Sequence, residues 1–161
     1  MLADDAVRVF WVNPVADLRA MNVLETAGGR ICGTEYLFSH ALDEIPADAE
    51  PLEALARTAL SDPMVGPASD RARRICRDAK TFRAEAVLIS RIPGASHCAW
   101  EGRIIGDMIQ SELSVPVLEI EVPPVLDAIS VRLRNRLDAL LETAGARRTS
   151  TPARRGSVPP R

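Results

Sequence analysis

Residues 86–90 have the sequence Ala-Val-Leu-Ile-Ser, an unbroken apolar run that ends on a polar residue. Such a run is typical of a strand that is buried on both faces of a sheet. A second run of β-branched and aromatic residues, Val7 to Val12, ends at Asn13-Pro14 and predicts another strand. A weaker run at residues 30–35 and a run at residues 117–120 predict two more. We therefore expect about four strands.

Helical patterns alternate with these strands. Apolar spacing, prolines and glycine stop signals predict helices over residues 15–27, 51–60, 69–83, 99–113 and 126–143, whereas residues 36–48 are interpreted as a loop or a short helix. This alternation predicts an α/β fold, a Rossmann/flavodoxin-like three-layer sandwich with a mostly parallel sheet of order 2-1-3-4. A ligand is then expected where the strand order reverses, between the first and third strands.

Composition excludes several classes of protein. With 161 residues, 47% hydrophobic and 26% charged, the chain is long enough for one globular domain. Its longest stretch without Asp, Glu, Lys or Arg, Ile92 to Trp100, is about half of what a membrane helix needs. No basic segment followed by an apolar one opens the chain, so we expect no secretory signal.

The charge is distributed unevenly along the chain. Residues 146–161 contain five arginines and no acid, so the other 145 residues carry a formal charge of −7 within the total of −2. An acidic body argues against specific nucleic-acid binding. We expect a folded domain over residues 1–145 and a disordered tail rich in Arg, Pro and Ser over residues 146–161.

The three cysteines are Cys32, Cys76 and Cys98. Being odd in number and far apart, they predict no disulfide framework and favour a reducing, cytoplasmic setting. Cys76 lies on the apolar stripe of its predicted helix and Cys32 lies in a predicted strand, so both are interpreted as core residues. We interpret Trp11 and Trp100 as packing residues as well.

Cys98 stands apart because it follows the third strand and directly precedes a predicted helix. A helix N-terminus favours a thiolate, which binds iron or attacks an electrophile. Two alternatives stay open: Cys98 is a small buried residue, or it forms a nucleophilic pair with His97. The loops at the predicted site contain Asn13, Arg91 and His97, which we take as residues adjacent to a substrate.

General catalytic motifs are absent from the sequence. It has no Gly-x-Gly-x-x-Gly, no Walker loop, no Cys-x-x-Cys and no His-Glu-x-x-His, so no catalytic residue is assigned. Glu101, three residues after Cys98, is interpreted as a helix cap. Arg132, Arg134 and Arg136 are interpreted as a solvated helix face, or alternatively as partners for the phosphates of a ligand such as coenzyme A.

Several segments follow one another in a distinctive order: Pro51-Leu52-Glu53-Ala54-Leu55-Ala56, the helix with Arg71 and Arg74, Ala84 to Ile89, Cys98, Val115 to Glu121, and Arg136 to Glu142. Their order and spacing resemble a known family, the 2-hydroxyacyl-CoA dehydratases and their relatives among benzoyl-CoA reductase subunits. The similarity extends from about residue 7 to residue 144 and corresponds to the C-terminal domain of those subunits.

The resemblance implies a function. Subunits of this family pair, and each holds a [4Fe-4S] cluster through three cysteines, one of which corresponds to Cys98. The other two lie in an N-terminal domain that has no counterpart in these residues. An ATP-dependent activator delivers one electron, which starts ketyl-radical chemistry on an acyl-CoA.

Two departures from the family pattern are Val131-Arg132, where the family usually has Gly-Gln, and Pro123, where an acidic residue is common. Two hypotheses follow. In the first, the chain is a fragment or split component of a dehydratase or reductase subunit, incomplete on its own, and Cys98 is a cluster ligand. In the second, it is a non-catalytic α/β module that binds an acyl-CoA or a partner subunit.

Overall fold

The computed structural model describes residues 5–13, 18–36, 43–62, 64–91, 94, 96–121 and 131–150, with the side chains of residues 18, 96–99 and 150 excepted. Four strands and five helices alternate in this part of the chain: β1 (Val7–Val12), α1 (Leu18–Thr26), β2 (Gly29–Glu35), α2 (Pro51–Ser61), α3 (Ala68–Thr81), β3 (Ala86–Arg91), α4 (Ser96–Leu113), β4 (Val117–Glu121) and α5 (Val131–Ser150).

The four strands form one sheet with the order β2-β1-β3-β4, and all three pairings are parallel. The α/β class and the 2-1-3-4 order predicted from the sequence are confirmed. The register of β1 and β2 shifts between Val9 and Phe10. At Gly33, just after this shift, a Cβ atom would lie 2.9 Å from the rings of both Phe10 and Phe82, so a glycine is needed for these rings to cover the strand.

Alternating side chains of the strands build two cores, one on each face of the sheet. On one face, Trp11 and Leu88 pack with α1 and α5; on the other, Phe10 and Ile89 pack with α3 and α4. Burial on both faces explains why β3 has the continuous apolar sequence from which the fold was inferred. Cys76 lies in the second core, as predicted, and Cys32 packs against it.

Three features differ from the predictions. Helix α4 begins at Ser96 rather than near Ala99, so His97 and Cys98 lie in its first turn instead of in the preceding loop. Helix α5 continues through residues 146–150, which the sequence composition assigns to the tail. Arg148 explains the extension, because its guanidinium bonds the carboxylate of Glu85 and the carbonyl oxygen of Asp5.

The third difference concerns Trp100, whose side chain is 81% exposed instead of packed in the core. It occupies the outer side of α4, away from the apolar residues Ile105 and Ile109 that face the sheet. The predicted loop over residues 36–48 falls partly, and the start of the last predicted helix wholly, outside the described residues. None of the described helices has both the length and the apolar character needed to cross a membrane.

Leu88 tests the central position of β3. Replacing this fully buried residue with alanine should lower the free energy of unfolding by about 2–5 kcal/mol, because the change leaves a cavity in the core between the sheet and helices α1 and α5. Leu52 on α2, which is 83% exposed, provides the control, and Leu52→Ala should change stability by less than about 0.5 kcal/mol. Urea denaturation measures both, and equal effects would contradict the described packing.

Candidate functional site

The carboxyl ends of the parallel strands meet at one edge of the sheet, which we call the carboxyl edge. Asn13 follows β1, Glu35 ends β2, Arg91 ends β3 and Glu121 ends β4. Chain connections leave β1 and β3 toward opposite sides, since β2 lies beyond β1 and β4 beyond β3. This reversal is where open α/β sheets bind ligands.

Arg71 of α3 is the central side chain at this edge, and it is only 1% exposed. Its guanidinium bonds Glu35 twice, from Nε to Oε1 at 2.9 Å and from Nη2 to Oε2 at 2.8 Å. Nη2 also donates to Oδ1 of Asn13 at 2.6 Å, and Nη1 donates to Oε2 of Glu101 at 2.6 Å. These contacts join β1, β2, α3 and α4 through four of the five N–H groups of one side chain.

The electrostatics of this cluster favour the charged guanidinium. Burial alone would lower the pKa of Arg71, but its hydrogen bonds and charge interactions with Glu35, and then with Glu101, raise the pKa above its ordinary value. Glu35 is 4% exposed and Glu101 is 23% exposed, so solvent screens the first pair very little. Bidentate geometry of this kind is specific to arginine.

Asn13 connects the cluster to the strand ends. Its φ of 51° lies in the left-handed region, which asparagine tolerates better than most residues. Its backbone N–H donates to the carbonyl of Glu35 at 2.9 Å, and its carbonyl accepts a hydrogen bond from the Ser90 hydroxyl. The indole Nε1 of Trp11 donates to that hydroxyl at 2.9 Å. The ends of β1, β2 and β3 are therefore linked by buried polar contacts.

Arg91 bridges the ends of β3 and β4. Its guanidinium lies 3.5 Å from Oε1 of Glu119 and donates to Oε2 of Glu121 at 3.2 Å. A Cβ atom at Gly102 would lie 3.1 Å from the same Glu119 oxygen, so the glycine lets α4 approach this carboxylate closely. Arg91 thus lies at the predicted edge with two carboxylate partners, and its role beside a substrate stays a prediction.

His97 and Cys98 lie in the first turn of α4, at the same edge, but their side chains are outside the described residues. Glu101, one turn further along, bonds Arg71, and this contact rather than helix capping is the role that the structure gives it. The helix N-terminus still supplies the partial positive charge that favours a thiolate in this turn.

The other two cysteines lie away from this edge. Burial, and then Glu112, raise the pKa of Cys76 to about 11. Glu112 belongs to the last turn of α4, about 21 Å along the helix axis from Cys98. Burial also raises the pKa of Cys32, against a lowering effect of Arg8 at the amino end of β1. Among the side chains that the structure describes, no group of three or more His, Cys, Asp or Glu could hold a metal ion.

The sequence predicts Asn13, Arg91, His97 and Cys98 at this edge, and the backbone places Asn13 and Arg91 at the ends of β1 and β3 and His97 and Cys98 in the first turn of α4. Their roles in a site stay predictions. Sequence reasoning missed Glu35 and the contacts of Arg71. One signal was available, because Arg71 lies four residues before Ile75, on the same stripe as the core residues of α3. A charged residue on such a stripe requires a buried partner.

Comparison with known proteins identifies one family. Residues 2–144 match the family model described as 2-hydroxyglutaryl-CoA dehydratase, D-component. A search of curated proteins finds no match.

The energetic importance of the cluster can be tested by comparing two arginines on α3. Arg71→Met should lower the free energy of unfolding by about 3–5 kcal/mol, because it leaves the Glu35 carboxylate buried without its partner. Arg74, which bonds Asp43 with both Nη atoms at 2.7 Å but is partly exposed, provides the control. Arg74→Met should cost about 1 kcal/mol or less. Urea denaturation of both variants near neutral pH measures the free energy of unfolding. Equal decreases in Arg71→Met and Arg74→Met would contradict the predicted difference.

The reactivity of the three cysteines should differ near neutral pH. Cys76, with a pKa of about 11, and Cys32, whose pKa is also raised, remain protonated there. We expect iodoacetamide to label Cys98 first, because helix N-termini stabilise thiolates. Labelling of Cys76 should increase only as the pH approaches 11. Peptide mass spectrometry over time gives the order, and labelling of Cys76 before Cys98 at pH 7 would contradict it.

Proposed function

Because the chain belongs to the family of the 2-hydroxyglutaryl-CoA dehydratase D-component, we propose that it is a component of a 2-hydroxyacyl-CoA dehydratase, or of a related benzoyl-CoA reductase, and that Cys98 is one ligand of a [4Fe-4S] cluster. The enzyme would remove water from, or reduce, an acyl-CoA by radical chemistry. The single observation that carries this proposal is the position of Cys98 in the first turn of α4, at the edge where the strand order reverses.

The donor set of this chain fits one ligand position and not a whole cluster. Iron–sulfur clusters are held by several cysteine thiolates. Cys76 lies in the core near the far end of α4, and Cys32 lies within β2, so neither can join Cys98 without leaving its own element. The sequence has no fourth cysteine, so the remaining thiolates would come from residues that do not belong to it. We assign them to a second dehydratase subunit or to a partner with the N-terminal domain.

When bound, such a cluster would supply a Lewis-acidic iron and a relay for the single electron that an ATP-dependent activator delivers. The residues of this chain would bind and orient. Asn13, His97 and Arg91 lie at the ends of the elements that surround the proposed ligand position. A thiolate ligand also requires a reducing environment, which supports a cytoplasmic location.

A cavity of about 210 Å³ near the end of β4 supports an acyl-CoA as the ligand. Arg132 and Arg136, one turn apart on α5, line it together with Glu121, Ile120 and Leu133. Arg136 donates from Nη2 to the carbonyl of Glu119 at 2.6 Å, which holds its guanidinium beside the cavity. Arginine pairs of this kind suit phosphate groups. We propose that this cavity receives a phosphate of coenzyme A.

The same cavity favours the second hypothesis, a non-catalytic module that binds an acyl-CoA. Arg132 stands where the resembled family usually has glutamine, and it lines the cavity. A module that had lost the reaction would keep this cavity and would have no requirement for Cys98. Iron binding therefore distinguishes the two hypotheses, whereas coenzyme A binding alone does not.

Cys98→Ser tests the proposed function. The chain is purified anaerobically with its candidate partner subunit, and iron and sulfide are measured after reconstitution with Fe²⁺ and sulfide. Cys98→Ser should lower the bound iron and abolish turnover, because a hydroxyl is a poor replacement for a thiolate on iron. Cys76→Ser is the control, which should lose stability and keep its iron.

If Cys98→Ser holds as much iron as the parent complex, the ligand assignment is wrong. If no combination with a partner binds iron while coenzyme A still binds, measured by isothermal titration calorimetry, the non-catalytic module becomes the better interpretation.

A further inference from the structure

Among the described side chains of α4, core contacts begin at Ile105 and continue at Ile109. Of the described residues before them, Trp100 is exposed, Ile104 is about half exposed and Gly102 has no side chain. A polar contact is therefore what the described side chains of this part of α4 offer to fix it against the sheet.

That interaction is the contact between Glu101 and Arg71. In the described part of the first two turns, it is the one side-chain hydrogen bond that joins α4 to another element. It is charge-assisted, measures 2.6 Å, and has a buried guanidinium on one side and a mostly buried carboxylate on the other. Arg71 also bonds the side chains of Glu35 and Asn13. The backbones of these two residues are in turn joined by a hydrogen bond from the Asn13 N–H to the Glu35 carbonyl.

We propose that Arg71 is a positioning residue for Cys98. Through Glu101 it fixes the first turn of α4, and with it the backbone of Cys98, relative to the carboxyl ends of β1 and β2. The part of this inference that concerns iron rests on the proposed function, whereas the mechanical part concerns this chain alone. Metal ligands are held by such supporting contacts, and loss of support typically weakens the metal site.

Arginine is required for this role because of its shape. In its planar guanidinium, Nε and Nη2 bond Glu35, Nη2 also bonds Asn13, and Nη1 bonds Glu101. A lysine ammonium at the end of a flexible chain would not hold these three directions at once. Arg71→Lys should therefore keep the positive charge and lose the fixed geometry.

Amide hydrogen exchange of the metal-free chain tests the mechanical part. In an α-helix the N–H groups of residues 100–102 bond the carbonyls of residues 96–98, so their exchange reports opening of the first turn. Glu101→Ala should accelerate exchange at Trp100 and Gly102 about tenfold or more, as expected for loss of a charge-assisted bond. Glu101→Gln retains an acceptor for Arg71 and should restore most of the protection.

Asp43→Ala is the matched control. Asp43 also binds an α3 arginine, Arg74, three residues from Arg71, and the ion pairs of Arg74 are with Asp43 and Asp78, neither of which belongs to α4. This variant should leave exchange at residues 100–102 unchanged. Urea denaturation of every variant separates local opening from global destabilisation. Should Glu101→Ala not fold, Arg71→Lys and Glu101→Gln provide the same comparison.

The proposal is overturned if exchange at residues 100–102 is unchanged in Glu101→Ala, or if it rises only in proportion to the loss of global stability.

Iron content then separates this inference from the proposed function. With the partner subunit and Fe²⁺ and sulfide, Glu101→Ala should bind several-fold less iron than Glu101→Gln. Full iron in Glu101→Ala, beside lost iron in Cys98→Ser, would refute positioning and leave the function standing. Full iron in Cys98→Ser would refute the function, while the exchange result would still decide whether Arg71 fixes the turn.

Discussion

A guanidinium that is 1% exposed must be surrounded by acceptors, and in this chain the acceptors of Arg71 come from three other elements. Removing an arginine from water costs several kcal/mol unless charge pairs and hydrogen bonds compensate. The positions of β1, β2 and α4 at the carboxyl edge are therefore constrained together, since moving one of them leaves a buried charge without a partner. The bonds between Trp11, Ser90 and Asn13 extend the same constraint to β3.

The two edges of the sheet use their charges differently. At the amino edge, Arg148 bonds Glu85 and backbone carbonyls at the start of the chain, and Arg8 bonds the carbonyl of Phe82. These contacts hold the first described residues and the end of α5 against the sheet. A cavity of about 490 Å³ beside them is lined by Arg147 and Arg148, whose guanidinium groups already bond the Ser114 carbonyl and the Glu85 carboxylate. At the carboxyl edge, Glu101 in the turn after Cys98 is among the bonded groups. The same kind of ion pair thus joins α5 to the strand starts at one edge and, in the proposed role, supports the turn of Cys98 at the other.

The fold could be predicted from the sequence because burial on both faces imposes a continuous apolar pattern on β1 and β3, and the connecting helices then restrict the strand order. The edge of the sheet that carries the candidate site could be predicted from that strand order. The polar cluster could not be predicted, because Arg71 lies 36 residues from Glu35 and 30 residues from Glu101. Periodicity identifies the buried face of a helix, but it does not identify which residue a buried side chain bonds. The sequence predicts the start of α4 near Ala99 instead of at Ser96, because Ser96-His97-Cys98 shows no apolar periodicity that would mark a helix. The residue type of Trp100 predicts a core position, yet its side chain lies on the outer side of α4. The side of α4 that faces the sheet is occupied by Ile105 and Ile109.

Stability alone does not account for an ion cluster of this kind. Apolar residues of similar volume can replace a buried ion pair with little loss, or even a gain, of stability. What they cannot reproduce is direction, because an apolar contact tolerates sliding, whereas the fork of Arg71 bonds its partners at defined angles. In the proposed function, Cys98 completes a cluster with thiolates from another chain. If the turn of Cys98 became ordered only on association, the entropy lost in ordering it would reduce the free energy of binding between the two chains. In the proposed role, the buried charge of Arg71 provides this order in advance, because it fixes Glu101 in the turn that follows Cys98.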